Sequence, residues 1–162
     1  MDDKSRYQRS TFRPSPKNVK RVEGSYIADS EKVITSLSQR LASVDWQKKE
    51  VPLYQLGDQI DDKYIVTDRF SGRFGNVYIS ELSSGSLFAI KQPIKEILEQ
   101  PGMPALIFKE AVHWNVLGLH PDVAYCYFVK LIDDVPYIFI EYMDGGTWEA
   151  YDSPHKLYVR VP

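Results

Sequence analysis

The sequence has little cysteine and no long hydrophobic run, and each shortage excludes a class of protein. The single cysteine, Cys126, cannot form an internal disulfide and lies in an apolar, aromatic stretch typical of a buried side chain. Apolar stretches reach only about half a dozen residues, as around 137–140, whereas a membrane-spanning helix needs roughly 20. The first 25 residues contain no apolar run after the basic ones, so no secretory signal is predicted. We therefore expect a cytoplasmic protein that does not cross a membrane.

Histidine is also scarce, which argues against a metal site. His113, His120 and His155 are the only histidines, and their wide spacing matches no compact ligand pattern. The composition, 43% hydrophobic and 26% charged over 162 residues, is that of a globular protein with length for one domain and a tail.

Charge divides the chain into a basic beginning and an acidic body. Residues 1–21 carry seven Lys or Arg against two Asp, which is +5, and the net charge of −2 leaves −7 for the rest. The basic residues of this segment are Lys4, Arg6, Arg9, Arg13, Lys17, Lys20 and Arg21. Two prolines and the lack of hydrophobic periodicity predict a disordered tail over 1–28. A solvated arm is the simpler interpretation, and a nonspecific contact with acidic partners, nucleic acid included, is the alternative.

A helix is predicted over about 30–43, capped by Asp29 or Ser30. Its apolar residues recur at spacings of three and four and so share one face: Val33, Ile34, Leu37 and Leu41. The following domain is the simplest place to bury that face, with Trp46 included. A docking helix for another protein is the alternative.

The rest of the chain alternates short β-rich runs with one helix. Runs rich in Val, Ile, Tyr and Phe predict five strands, namely 64–70, 76–82, 86–92, 124–132 and 136–142. Gly85 and the Asp133-Asp134 pair predict hairpin turns. The apolar residues of 105–117 recur with helical spacing, which predicts a second helix. We predict an α+β fold, a five-stranded antiparallel sheet covered by one helix.

Two glycines in a turn and one lysine on a strand are the candidate phosphate-binding residues. Gly72-x-x-Gly75-x-Val77 lies between the first two strands, where glycines let the backbone approach a phosphate, although such a turn alone is a weak signal. Lys91 lies on an otherwise apolar strand and needs an anion, and Glu110 lies among apolar positions of the helix. We predict that Glu110 bonds Lys91 and orients its ammonium toward phosphate oxygens.

Taken together, these residues resemble the N-terminal lobe of eukaryotic-like serine/threonine protein kinases. The motifs stand in the order that the family has: the glycine-rich loop 70–78, the strand 88–91 with the lysine, the helix segment 108–111, the turn 120–123, and the strand and hinge 138–146. The resemblance covers a kinase-like lobe over 56–148. Composition and periodicity add the other three regions: a disordered basic tail 1–28, a helix and linker 29–55, and an irregular tail 149–162.

By that resemblance the lobe binds ATP, with Mg²⁺ in complete relatives. The implied nucleotide-binding residues are Gly72, Phe74, Gly75, Val77, Ala89, Lys91, Glu110, Ile140, Glu141 and Met143. Val77 and Ala89 would cover the adenine, Ile140 would be the gatekeeper beside it, and backbone groups of Glu141 and Met143 would bond its edge. Trp114 would point toward a second lobe.

Two departures from the family pattern limit what the resemblance implies. Phe70 replaces the first glycine of the loop, so the loop is expected to begin as a regular strand. Nothing in the chain resembles the His-Arg-Asp catalytic loop or the Asp-Phe-Gly metal site. We therefore predict a truncated kinase domain that is inactive alone, with no catalytic residue and no metal ligand of its own.

Two further interpretations stay open at the sequence level. One is a non-catalytic nucleotide-binding or protein-docking module, whose exposed inter-lobe face is covered by a partner protein. In the other, the lobe is incidental and the basic tail with its helix carries the function.

Overall fold

The computed structural model describes residues 25–26, 31–120 and 123–143 of the chain. These residues form an antiparallel sheet with three helices. The strands are β1 (Ser25–Tyr26), β2 (Gln59–Ile60), β3 (Tyr64–Ser71), β4 (Gly75–Leu82), β5 (Leu87–Pro93), β6 (Cys126–Ile132) and β7 (Val135–Glu141). The helices are α1 (Glu31–Ala42), α2 (Lys95–Leu98) and α3 (Met103–Leu117). Across the sheet the strands run β1-β6-β7-β5-β4-β3-β2.

The predicted α+β class is confirmed, but the predicted number of strands is wrong. The five long strands and the two long helices lie within two residues of their predicted ends. The sheet has seven strands rather than five, because β1 and β2, of two residues each, extend its edges. A strand of two residues is too short to show alternating hydrophobicity, so the sequence pattern gave no sign of either.

The first strand also corrects the predicted tail. Ser25 and Tyr26, assigned to the disordered segment 1–28, pair with Lys130 and Val129 of β6. The remainder of that prediction, over 1–24 and 27–28, lies outside the described residues, as does the irregular tail over 149–162.

Two hairpin turns form where the sequence predicts them. Gly85, with φ of +82°, closes the β4–β5 turn, and its N–H donates to the Leu82 carbonyl. Asp133 and Asp134 both have positive φ, +48° and +65°, between β6 and β7. A two-residue hairpin turn of this kind needs positive φ at both central positions, which aspartate tolerates better than most residues.

The register of the sheet separates two faces. One face, here called the cleft face, carries Val77, Lys91 and Ile138 in one cross-strand row and Ala89 with Ile140 in the next. The other, the core face, carries four fully buried side chains of β4, β5 and β7: Tyr78, Ile90, Gln92 and Phe139.

The segment between α1 and β3 covers the core face. Gln92 is completely buried there, and its side-chain amide donates to the Pro52 carbonyl (2.8 Å) and to Tyr137 Oη (2.9 Å). Tyr78 Oη donates to Gln92 Oε1 (2.8 Å) and accepts the N–H of Tyr54 (3.4 Å). These bonds attach the linker to the sheet through the fully buried side chains of Gln92 and Tyr78.

Helix α1 packs against the following domain, which confirms the simpler of the two predictions for it. Leu37 and Leu41 are buried, and Trp46 Nε1 donates to the Leu41 carbonyl at 3.1 Å. Arg40 adds a salt bridge of 2.6 Å to Asp134 in the β6–β7 turn. The helix and linker predicted as a separate region over 29–55 therefore share one hydrophobic core with the lobe.

Over the described ranges, no helix has both the length and the hydropathy that a membrane crossing requires.

Candidate functional site

The glycine turn between β3 and β4 is closed by its own backbone. The Gly72 N–H donates to the Gly75 carbonyl at 2.9 Å, and Ser71 Oγ donates to Asn76 Oδ1 at 2.8 Å. The Gly72 amide is therefore engaged in the turn and does not face a phosphate, although the sequence predicts that the backbone approaches one here.

Gly75 is required for a different reason than phosphate approach. A Cβ at this position would lie 2.4 Å from the Gln92 carbonyl oxygen of the neighbouring strand. That contact is far inside van der Waals distance, so β4 and β5 can approach each other at this point only with glycine. A Cβ at Gly72, in contrast, would meet nothing closer than 3.6 Å.

The tip of the turn presents an aromatic ring. Phe74 is 63% exposed, and the guanidinium carbon of Arg73 lies 5.7 Å from its ring centroid. Phe74 also lines a cleft of about 380 Å³ that lies between the turn, β5, β7 and α3. An exposed apolar side chain at the edge of a cleft is suited to covering a ligand inside it.

Lys91 and Glu110 both line this cleft. The other lining residues are Pro93, Ile97, Met103, Leu106, Ile107, Ala111, Trp114 and Ile138, with Phe74 at the turn. Lys91 is thus the one cation among the residues that line the cleft, on walls that are otherwise almost entirely apolar.

The predicted bond between Lys91 and Glu110 is absent from the described residues, which corrects that expectation. Glu110 shares a helical face with Ile107 and Trp114 and so lies at the cleft, but its side chain is exposed. A carboxylate that remains in water gains little from an ion pair. Lys91, which is half-buried, therefore presents an ammonium that no carboxylate of the described residues pairs with.

Two of the residues assigned to the adenine, Ala89 and Ile140, lie one row further along the cleft face than Lys91. Ala89 is 7% exposed and pairs with Ile79 on one side and Ile140 on the other. Val77, in the Lys91 row, and Ile140 are half-buried. The register therefore brings Val77, Ala89 and Ile140 together on the face that also carries Lys91.

The start of the predicted hinge is attached to the residues before β6. The Glu141 N–H donates to the Tyr125 carbonyl at 2.8 Å, and the Glu141 carboxylate accepts the Tyr125 N–H at 3.1 Å. Met143 is half-buried and is the last residue that the structure describes. Bonds from Glu141 and Met143 to an adenine stay a prediction.

Trp114 differs from its predicted role. It lines the cleft, is half-buried, and donates its indole N–H to the Ala124 carbonyl at 3.0 Å. The apolar side chains exposed at this end of α3 are instead Val116 (65%), Leu117 (70%) and Leu119 (42%).

Asn115 fixes the end of α3 to the sheet, a role that the sequence did not indicate. Its side-chain amide donates to the carbonyls of Cys126 (2.7 Å) and Tyr127 (2.8 Å). An asparagine within a helical pattern occurs at both exposed and buried positions. Only the fold shows that Asn115 bonds the sheet.

Cys126 lies beneath α3, where burial raises the pKa of its thiol to about 12. The thiol is therefore neutral over the physiological range. Among the residues that the structure describes, no three His, Cys, Asp or Glu side chains lie close enough together to hold a metal ion.

Comparisons with known proteins identify the fold. No family model matches the chain, and no curated protein matches it. A single-residue variant of the kinase domain of Mycobacterium tuberculosis PknI has a TM-score of 0.51 at 17% sequence identity, and the match covers 64% of this chain and 43% of that domain. Another crystal structure of the same kinase domain gives a TM-score of 0.50 at 18% identity, with the same coverage. This chain has a fold like that of a protein kinase domain, of which it spans less than half, in the manner of an N-terminal lobe.

Proposed function

We propose that this chain is the nucleotide-binding lobe of a protein-kinase-like phosphotransferase and holds the phosphates of ATP against Lys91. The observation that carries the proposal is a cleft of about 380 Å³ that Phe74, Lys91 and Glu110 all line. Three separate elements supply these residues: the glycine turn, strand β5 and helix α3. The kinase-like fold supports the assignment, because the three residues come from the elements that the resemblance names.

The electrostatics of the cleft favour an anion. Lys91 lies on a strand between Val77 and Ile138 and lines a mostly apolar cleft, and its side chain is half-buried, so water is partly excluded from it. Exclusion of water strengthens the attraction between an ammonium and a phosphate. Glu110, at the same cleft, is placed to approach Lys91 if α3 shifts, which would orient the ammonium on the phosphates.

The apolar part of the same face suits a flat base. Ala89 and Ile140 form a row next to Lys91, and small or aliphatic side chains of this kind leave a shallow surface for an aromatic ring. Mg²⁺, when bound to the nucleotide, would neutralise part of the phosphate charge. Nothing in the sequence resembles the catalytic loop or the Asp-Phe-Gly metal site, so we propose that the chain binds nucleotide without transferring phosphate by itself.

Thermal unfolding of the purified chain with and without millimolar Mg-ATP tests the proposal. A ligand that binds only the native state raises the free energy of unfolding, by about 2.7 kcal/mol at a concentration 100 times its dissociation constant. We expect the shift to shrink in Lys91→Ala and to persist in Lys63→Ala, because Lys63 is an exposed lysine in the β2–β3 turn. Absence of a shift in the wild-type chain, or an equal shift in Lys91→Ala, would contradict the assignment.

A second candidate function is a protein-docking module without nucleotide. The exposed end of α3, where Val116, Leu117 and Leu119 protrude, favours it, since contiguous exposed apolar side chains mark interaction surfaces. The same unfolding experiment separates the two functions. A cooperative transition that ATP does not move would favour docking over nucleotide binding.

A further inference from the structure

Strand β3 contains a bulge that changes which of its side chains lie on the cleft face of the sheet. Before the bulge, Val66 lies opposite Ser80, and after it Asp68 lies opposite Ile79. The residue between them, Thr67, has no partner in the register, and its hydroxyl donates to the Ile79 carbonyl at 3.1 Å. One extra residue in a strand moves every later side chain to the opposite face.

The bulge decides the neighbour of Val77. In the register that holds at the start of β3, Arg69 would lie opposite Val77. The shifted register puts Phe70 there instead and turns Arg69 to the other face, where its guanidinium donates to the Tyr54 carbonyl at 3.3 Å. The exchange replaces a charged side chain on the cleft face with an aromatic ring.

Phe70 takes no part in the core. Its side chain is 57% exposed, and within the described part of the chain it makes no ring contact with another aromatic residue. Exposure of most of a phenylalanine ring on the same face as a ligand cleft leaves that surface available to a ligand.

We infer that Phe70 is a base-stacking residue, which makes the site selective for phosphate ligands that carry a planar aromatic base. The inference rests on the proposed function, because it places the ligand by its phosphates at Lys91. Phe70 and Lys91 lie two strands apart in one row, or about 10 Å at the usual spacing of neighbouring strands. Side chains directly opposite each other have Cβ atoms about 4.5–5.5 Å apart, so the ring lies beside Val77, where the resemblance places the base.

The phenylalanine at this position, where the kinase pattern has glycine, would change how the ligand is contacted. Glycine at this position lets the backbone itself approach the ligand, whereas a large side chain on the cleft face keeps the ligand at the distance of a ring. The contact with the ligand is thereby moved from the backbone of the turn, whose Gly72 amide is already engaged, to the face of an aromatic side chain.

The test compares a ligand with a base and one without. Dissociation constants for Mg-ATP and for Mg-tripolyphosphate are measured by calorimetry on the wild-type chain, Phe70→Ala, Phe70→Trp and Ile65→Ala. Stacking on an aromatic side chain contributes about 1–3 kcal/mol per base, so Phe70→Ala should weaken ATP binding about fivefold or more. Tripolyphosphate binding should stay unchanged in Phe70→Ala, and Phe70→Trp should retain ATP binding.

The controls keep the inference separate from the proposed function. Ile65 is an exposed apolar residue of the same strand, located before the bulge and away from the Lys91 row, so Ile65→Ala should bind ATP like the wild-type chain. Wild-type affinity for ATP in Phe70→Ala, or an equal loss for ATP and tripolyphosphate, would overturn the role of Phe70 alone. Failure of the wild-type chain to bind ATP at all would instead overturn the proposed function.

Discussion

Replacement of Gln92 by leucine should destabilise the fold that holds Lys91 in place. Gln92 follows Lys91 on β5 and faces the opposite side of the sheet, where its side chain is fully buried. It accepts one hydrogen bond from Tyr78 and donates one each to Pro52 and Tyr137. Leucine fills a similar volume but can make none of these bonds.

The magnitude follows from the partners that lose their bonds. A buried polar group left unsatisfied costs about 1–3 kcal/mol. The Tyr78 hydroxyl loses its acceptor completely, whereas the Pro52 carbonyl is only partly buried and Tyr137 retains Tyr54 as a distant partner at 3.5 Å. We therefore expect a loss of about 2–4 kcal/mol, a large part of the stability of roughly 5–15 kcal/mol that a domain has.

Urea unfolding followed by tryptophan fluorescence measures this loss. The matched control is Gln100→Leu, because Gln100 is exposed and its side chain makes one hydrogen bond, of 3.3 Å, to its own helical segment. We expect the control to change stability by less than about 0.5 kcal/mol. The reasoning would be refuted by a Gln92→Leu chain that unfolds within about 0.5 kcal/mol of the wild-type chain. A double-mutant cycle with Tyr78→Phe should then show that the two losses are not additive, since both substitutions break the same bond.

Two further predictions concern the glycine turn and the cysteine. Gly75→Ala should destabilise the chain by about 1–3 kcal/mol or more in thermal unfolding, because its Cβ would meet the Gln92 carbonyl at 2.4 Å, whereas Gly72→Ala should cost less. An equal effect of the two substitutions would contradict the packing role of Gly75. Cys126, whose thiol pKa burial raises to about 12, should resist thiol reagents at pH 8 until the chain unfolds. Because the unfolded thiol ionises near its ordinary pKa of 9.0 and the folded one does not, the free energy of unfolding should decrease from about pH 9 toward pH 12. Rapid labelling of the native chain would contradict the burial.

Local patterns in the sequence were sufficient for the long elements of the fold. Runs rich in Val, Ile, Tyr and Phe predict the strands, and helical spacing predicts α1 and α3. Gly85 and the Asp133-Asp134 pair predict turns, because each of these signals depends on residues that are neighbours along the chain. The sequence also shows that Lys91 lies on an apolar strand and predicts an anion near it. In the structure Lys91 lines a cleft.

The sequence does not show that the side-chain amide of Gln92 is buried or that the linker before residue 56 packs on the sheet. Gln92 looks like an ordinary polar residue at the end of a strand, yet it bonds Pro52, which is 40 residues away in sequence. Nothing local distinguishes such a residue from a solvated glutamine. For the same reason the linker before residue 56 was assigned to a separate region, although it covers the core face of the sheet.

The sequence by itself determined the order and type of the long elements and the chemical character of the cleft, since these depend on side-chain pattern and backbone preference over a few residues. Only the tertiary structure decided how the elements face one another. It left Glu110 in water rather than on Lys91, and through one bulge it placed Phe70 on the cleft face and Arg69 on the core face. The physical reason is that register and ion pairing are set by contacts between distant segments, and a shift of one residue in a strand reverses its faces while the sequence pattern stays the same.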